Sequence, residues 1–157
     1  MALKWTNEKE VDAQFKKLEI LYNQRAVEYL SRLGEQVVKY AKDNGNYTDR
    51  TANLRNSIGY IVVQSGNVIV ESFTGGASPK EAGGDEARAK EAGLEYARRV
   101  VSEYRKDKTY LVWVAGMEYA AYVEAKGYDV IQGSGDWVES QAQKQMENFK
   151  RWLMKRA

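Results

Sequence analysis

Tyr47-Thr48-Asp49-Arg50-Thr51-Ala52-Asn53-Leu54-Arg55-Asn56-Ser57-Ile58 is the densest local signal in this chain. Thr51 suits an N-cap, because its hydroxyl can accept from a backbone N–H in the turn that follows. One or two helical turns after it put Leu54 and Ile58 on one face, four residues apart. The period then changes. Tyr60 to Gln64 and Val68 to Phe73 are rich in β-branched and aromatic residues. With Ser65-Gly66-Asn67 between them as a turn, they read as a β-hairpin.

Upstream, Val11, Phe15, Leu18, Tyr22, Ala26, Tyr29, Leu33, Val37 and Tyr40 recur at steps of three and four, which makes one stripe of a long amphipathic helix. Asn7 is placed to cap it, with Glu10 completing a capping box. Asp43-Asn44-Gly45-Asn46 ends it. A straight helix over about residues 7–42 is ~50 Å long, against a radius of gyration of ~15 Å for a domain of this size. Either it bends near Ser31 to Gly34, or one end leaves the body and meets another subunit.

Downstream, residues 74–86 have the glycine content of a mobile loop and hold Pro79, the single proline. A second helix is expected from Asp85 to Lys106, with Ala89, Gly93, Tyr96, Ala97, Val100 and Tyr104 as its stripe. Small residues at 89, 92, 93 and 97 let it approach closely whatever it packs on. Thr109 to Ala115 is apolar on both faces and reads as a central strand. Met117 to Ala125 reads as helix and Gly127 to Ile131 as a short edge strand. Ser134 or Asp136 then caps a last helix striped by Trp137, Met146, Phe149, Trp152 and Leu153. The order predicts a single α+β domain over residues 1–157: long N-terminal helix, small antiparallel sheet, inserted helix and C-terminal helix.

Composition narrows the chemistry. Among 157 residues there is no Cys and no His, which removes thiol nucleophiles, the Ser-His-Asp triad and the usual zinc sites. Lys and Arg number 24 against 22 Asp and Glu, for a net charge of +2. The signs are interspersed, without the basic block of a nucleic-acid binder. No apolar run approaches the length of a membrane span, and Met1 to Glu8 lacks the apolar core of a signal peptide. The expectation is a soluble protein made inside the cell.

Three catalytic or ligand patterns are present, each with a plainer account. Glu124-Ala125-Lys126 has the Glu-x-Lys spacing of a metal-dependent nuclease, with Asp107 as its nearest partner carboxylate; on a helix, however, residues two apart face different ways. Glycines 75, 76, 83 and 84 lack the Lys-Ser or Lys-Thr of a phosphate loop, so a flexible loop is the better account. Eleven Tyr and four Trp, with basic–aromatic runs such as Tyr104-Arg105-Lys106, invite a stacking platform, yet most fall on the stripes. Asp49, Arg50 and Arg55 are expected to cap the short helix and to pair with each other or with Glu124. The residues predict a non-enzymatic domain, without cofactor or metal, carrying apolar stripes to spare. A helical adaptor docking through Phe15, Leu18 and Tyr22 is the other non-catalytic possibility.

Thr48-Asp49-Arg50-Thr51-Ala52-Asn53-Leu54-Arg55-Asn56-Ser57-Ile58 resembles the Thr-Gly-Asn-Leu-Arg-x-Ser-Ile signature of the tail-completion, tail-terminator and head–tail joining proteins of long-tailed bacteriophages. Tyr119-Ala120-Ala121-Tyr122-Val123-Glu124-Ala125-Lys126-Gly127 is similar to the family's Tyr-Ala-x-Tyr-x-Glu-x-Gly stretch. The order of elements agrees, and the likeness covers most of residues 7–73 and 109–153. Ala52 stands where the family has Gly, so a positive φ there is not expected. Residues 74–108 look like an insertion. The resemblance implies a virion structural protein made in the host cytoplasm, forming a ring of six or twelve copies at the head–tail junction or the head-proximal end of the tail. Its partners would be itself and neighbouring neck, connector or tail-tube proteins, with DNA passing through unread. Thr48, Asp49, Arg50, Thr51, Asn53, Leu54, Arg55, Ser57, Tyr119, Tyr122 and Glu124 would be its structural or interface residues. Asn53, Leu54 and Arg55 are expected to anchor the motif to the sheet, with Tyr119, Tyr122 and Glu124 packed across from it.

Overall fold

A computed structural model describes residues 7–104 and 106–155. Residues 1–6, which carry most of the stretch read for signal character, lie outside the described residues, as do Arg105 of the basic–aromatic run and residues 156 and 157. The fold is α+β, in the order α1 (Glu8–Asn44), α2 (Asn53–Asn56), β1 (Ile58–Gln64), β2 (Asn67–Ser72), α3 (Glu86–Ser102), β3 (Thr109–Ala115), α4 (Ala120–Ala125) and α5 (Gln132–Met154). The long first helix, the small antiparallel sheet and the further helices are those expected.

The hairpin turns through Ser65 and Gly66, both at positive φ (51° and 79°), a mirror-image turn whose twist matches that of the strands. The sheet order is β2-β1-β3, with both neighbours antiparallel to β1. The central strand is therefore β1, not β3. Residues 58 to 63 are buried without a break, whereas residues 109 to 113 of β3 are half-buried. The apolar run in β3 has a different cause: it is an edge strand with a helix over each face. Residues 127–131 form no strand and instead lead into α5. There Glu124 accepts from the Gln132 N–H (2.8 Å) and Asp129 from the Gly133 N–H (2.9 Å). Two carboxylates thus satisfy orphan donors at the positive end of the helix, and α5 starts ahead of the expected Ser134 or Asp136 cap. Ser134 lies buried in the first turn, where its hydroxyl accepts from the Trp113 indole N–H (3.0 Å).

Helices α1 and α5 cover one face of the sheet and α3 the other. The first layer gathers Val38, Ala41, Leu54, Ile58, Tyr60 and Val62; the second gathers Ile61, Val63, Ala97, Val101 and Val114. Asp85 caps α3, accepting from the Arg88 N–H (3.0 Å). The helix comes down to backbone contact, because a Cβ on Gly93 would stand 2.4 Å from the Ser57 carbonyl and one on Gly116 only 2.2 Å from the Gly93 Cα. This is the close approach anticipated from the small residues.

At 37 residues, α1 is ~55 Å long. Of the second outcome foreseen for it, one part is seen: its outer half leaves the body. Burial begins at Arg25 and Ala26, while Phe15, Leu18, Ile20 and Tyr22 are 52–66% exposed. Asn7 does stand at the N-cap position, but its side chain makes no capping bond, so the capping box with Glu10 does not form. From Arg25 onward α5 runs antiparallel to α1. Tyr40 stacks on Trp137 (5.3 Å), Tyr29 meets Phe149 (4.8 Å), and the Arg25 guanidinium donates to the Leu153 carbonyl (2.7 Å).

Candidate functional site

The two motifs meet at Ser57. Its side chain is wholly buried, donates to the Leu54 carbonyl (2.8 Å), and accepts from the N–H groups of Gly116 (3.1 Å) and Met117 (3.3 Å). One hydroxyl thereby fastens the end of α2 to the segment that opens the Tyr-Glu stretch. Leu54 points inward, 2% exposed, into the first core layer. Of the three residues expected to anchor the motif to the sheet, Leu54 alone does so.

Asn53 faces the Gly-rich segment instead. Its amide accepts from the Asp85 N–H (2.8 Å) and donates to the Gly83 carbonyl (3.2 Å). Asn56, which the sequence did not single out, pairs both ways with Ala77, accepting from its N–H (2.8 Å) and donating to its carbonyl (3.0 Å). The Arg50 carbonyl accepts from the N–H groups of Lys80 (2.7 Å) and Glu81 (2.9 Å), and its guanidinium reaches the Glu81 carboxylate at 3.6 Å. Residues 74–85 are thus bonded along their length to the motif, and the expected free loop is corrected to a strapped one. The signal for Asn56 lay in its place between Leu54 and Ile58: a polar side chain beside two core residues needs a partner, and a loop with unpaired backbone supplies one.

Asp49 caps α2 by accepting from the Arg55 N–H (2.7 Å). Thr51, expected as the cap, lies one residue too early; Ala52 holds that position at φ +62°, so the positive φ not expected of a non-glycine is present. The Arg55 guanidinium donates to the Gly45 carbonyl (2.8 Å) and lies over the Tyr47 ring (4.9 Å). Asp49 therefore meets Arg55 through its backbone, Arg50 pairs with Glu81, and Glu124 caps α5. The Tyr47 hydroxyl is buried and has no hydrogen-bond partner among the described residues. Burial pushes its pKa up to about 12, outweighing the Arg55 charge that lowers it.

Tyr119 approaches Thr51 and Asp49, and burial together with the Asp49 charge raises its hydroxyl pKa. Tyr122 is 64% exposed, with the Lys126 ammonium 5.2 Å from its ring. Of the trio expected across from the motif, Tyr119 alone packs there. Thr48 is exposed. The nuclease residues are not assembled: Asp107 precedes β3 and Glu124 follows it, with a seven-residue strand, ~20 Å, between them. Among the described residues no group of three or more metal-ligating side chains forms, and no helix is long and apolar enough to cross a membrane.

The motif is thus a junction of backbone groups, and the bare surface lies elsewhere. The exposed Phe15, Leu18 and Tyr22 prolong the α1 stripe toward and past the end of α5, where Tyr22 still meets the Phe149 ring edge-on (6.3 Å). Where α1 and α5 part, a cleft of about 600 Å³ opens, lined by Tyr22, Tyr29, Met146 and Phe149 on the two helices and by Asp107 before β3. No family model, curated protein or solved structure matches the chain.

Proposed function

We propose that this chain is a non-catalytic structural subunit of a long-tailed bacteriophage virion. It closes into a ring of six or twelve copies at the head–tail junction or the head-proximal end of the tail, in tail completion, tail termination or head–tail joining. The ring abuts connector or tail-tube proteins, and DNA passes through it unread. The observation that carries self-assembly is the outer half of α1, where Phe15 is 66%, Leu18 59% and Tyr22 52% exposed along the same stripe that α5 covers further in. A contiguous apolar face left bare by its own chain is a surface for a neighbour. A closed ring needs such contacts to be heterologous, one face of each copy on a different face of the next. The likeness of the two motifs to the tail-completion family supplies the location. A net charge of +2 suits a channel wall, since a strongly basic lumen would hold DNA back.

Light scattering across a concentration series tests the assembly. The expected mass is six or twelve times 17.9 kDa, with no growth beyond it. A chain that stays monomeric up to ~1 mM has a self-association free energy weaker than about −4 kcal/mol, and the ring is then overturned.

A further inference from the structure

Strand β3 is laddered on one side only, and the phase of that ladder is fixed at both ends. The Ser65 N–H donates to the Lys108 carbonyl (3.2 Å) and the Gly116 N–H to the Ser57 carbonyl (3.3 Å). In an antiparallel pair alternate residues turn both backbone groups toward the partner strand. Residues 110, 112 and 114 therefore face β1, while Leu111 and Trp113 present N–H and C=O to the outer edge. Among the described residues those outward groups have no backbone partner. The edge is the floor of a groove of about 680 Å³, walled by Val100 of α3 and Tyr104 just after that helix, and by Ile131 with Asp136 and Glu139 of α5 on the other side. Folded proteins commonly blunt an open edge with Lys, Pro or a bulge. Residues 109–115 hold no charge and no proline, and their pairing with β1 is regular.

The opposite edge of the sheet is its counterpart. Strand β2 is also laddered on one side, and it carries Val68, Val70 and the half-exposed Ile69. The irregularity opposite Val62 and Val63 adds twist at that edge, as a sheet curving around an axis requires. The two edges are level with one another, since Gln64 pairs with Asn67 and Thr109, Val62 with Val70 and Leu111, and Tyr60 with Ser72 and Trp113. They also run in the same direction. The charges match as well. Arg32, Lys39 and Lys42 follow one another along the α1 turns that border β2, on the face of the sheet where α5 sets Asp136 and Glu139 beside β3. Glu35 between them is taken up by the Tyr60 and Ser72 hydroxyls (both 3.0 Å), while Lys39 also pairs with Asp43. The half-buried Lys42 donates to the Gly75 carbonyl (3.1 Å), which leaves the exposed Arg32 the least engaged of the three.

We propose that β3 of one copy takes β2 of a second copy as its next strand, in parallel, so that the sheet continues from subunit to subunit. The inference rests on the ring assembly proposed above and deepens it by naming the two faces that meet. Each copy offers one edge and accepts another, which is the heterologous contact that a closed ring needs.

Cysteine cross-linking tests it, because the chain has no cysteine of its own. Glu71 and Val112 both pair with Ile61, so they stand level on the two edges. Under mild oxidation the Glu71→Cys, Val112→Cys double variant is expected to give a ladder of disulfide-linked species that ends at the ring mass, while Val112→Cys alone stays uncross-linked. The companion variant is Val68→Pro, at a position whose N–H faces outward, so the β1 ladder survives. It is expected to keep the wild-type circular dichroism and to be monomeric. If wild type forms a closed multimer but the double variant gives no ladder and Val68→Pro still assembles, the edge pairing is overturned and the ring stands. If Val112→Cys alone gives a dimer, β3 meets β3 of a second copy and the pairing proposed here is wrong. A monomeric wild type overturns the ring and the edge pairing together.

Discussion

Ala52 is held at φ +62° with 2% of its surface exposed. The left-handed conformation costs a non-glycine residue roughly 1–2 kcal/mol. Glycine would recover that, yet would lose about 0.8 kcal/mol of methyl burial and roughly 0.5–1 kcal/mol of backbone entropy. The terms nearly cancel. Ala52→Gly should therefore lie within about 0.5 kcal/mol of neutral in urea unfolding, whereas the β-branched Ala52→Val should lose more than about 2 kcal/mol. A Val variant as stable as wild type would mean that the positive φ is not enforced. Ser57→Ala strands the Met117 N–H in the interior, while the Leu54 carbonyl keeps the Ser57 backbone N–H (3.2 Å), and it should cost about 2 kcal/mol. Leu54→Asp buries a charge in the first core layer and should abolish folding; a soluble, assembling Leu54→Asp protein would mean that the side chain points elsewhere. Tyr47→Phe is the opposite case. It removes a buried hydroxyl that has no partner, so stability should hold or rise by up to about 1 kcal/mol.

At the level of elements, Asn56 is the latch of the Gly-rich segment. Removing its amide frees both backbone groups of Ala77, and the Asn56→Ala variant should be cut by trypsin at Lys80 well before the intact protein is. Equal cutting rates would show that the Arg50 and Asn53 contacts suffice. The latch also marks where sequence reading stops. Helices, hairpin and third strand were legible because apolar period is a local property: α1 is striped at three and four, and β1 at a strand's density of β-branched residues. Rank within the sheet was not, because a β3 buried by a helix over each face has the same composition as a strand flanked by strands. Two caps went astray, that of α2 by one residue and that of α5 by three or more, since Asp49, Asp129 and Glu124 act from outside the positions that a cap pattern inspects. Of the candidate site, Leu54 was legible with Ile58 as the inward face of one turn, whereas Ser57 was named only through the family resemblance. The strap was not, because glycine content records a loop's freedom and says nothing of the carbonyls it is bonded to.

Over the whole molecule, α3 covers the second of the two core layers. Without it Ile61, Val63 and Val114 lose their cover, so the segment that looked like an addition to a smaller fold cannot be trimmed from this one. Alkali should expose a second collective property. Burial, reinforced for Tyr60 by the Glu35 carboxylate, puts the pKa of Tyr47 and of Tyr60 at about 12, against about 10 in an unfolded chain. Below pH 10 both states hold these protons and stability is untouched. Between pH 10 and 12 only the unfolded chain gives them up, so stability should fall by up to roughly 1.4 kcal/mol per pH unit for each tyrosine. Urea midpoints measured across that window should show the fall, and Tyr60→Phe should make it shallower; a flat profile would mean that both hydroxyls ionise freely in the folded protein.

The length of α1 has a consequence in phase. Each residue turns a helix by about 100°, so the bare stripe and the covered stripe coincide only because the count of residues between them is right. One alanine inserted after Gln24 would swing Phe15, Leu18 and Tyr22 a quarter-turn or more around the axis, and of the ring contacts with α5 it would break the edge-on meeting of Tyr22 with Phe149 (6.3 Å). Seven would bring them back to within about 20° of their bearing and carry them ~10 Å further out. The folded body should lose little more than the Tyr22–Phe149 contact to either insertion. An assembly that reads the stripe should reject the first, and should answer the second with a wider spacing between neighbours.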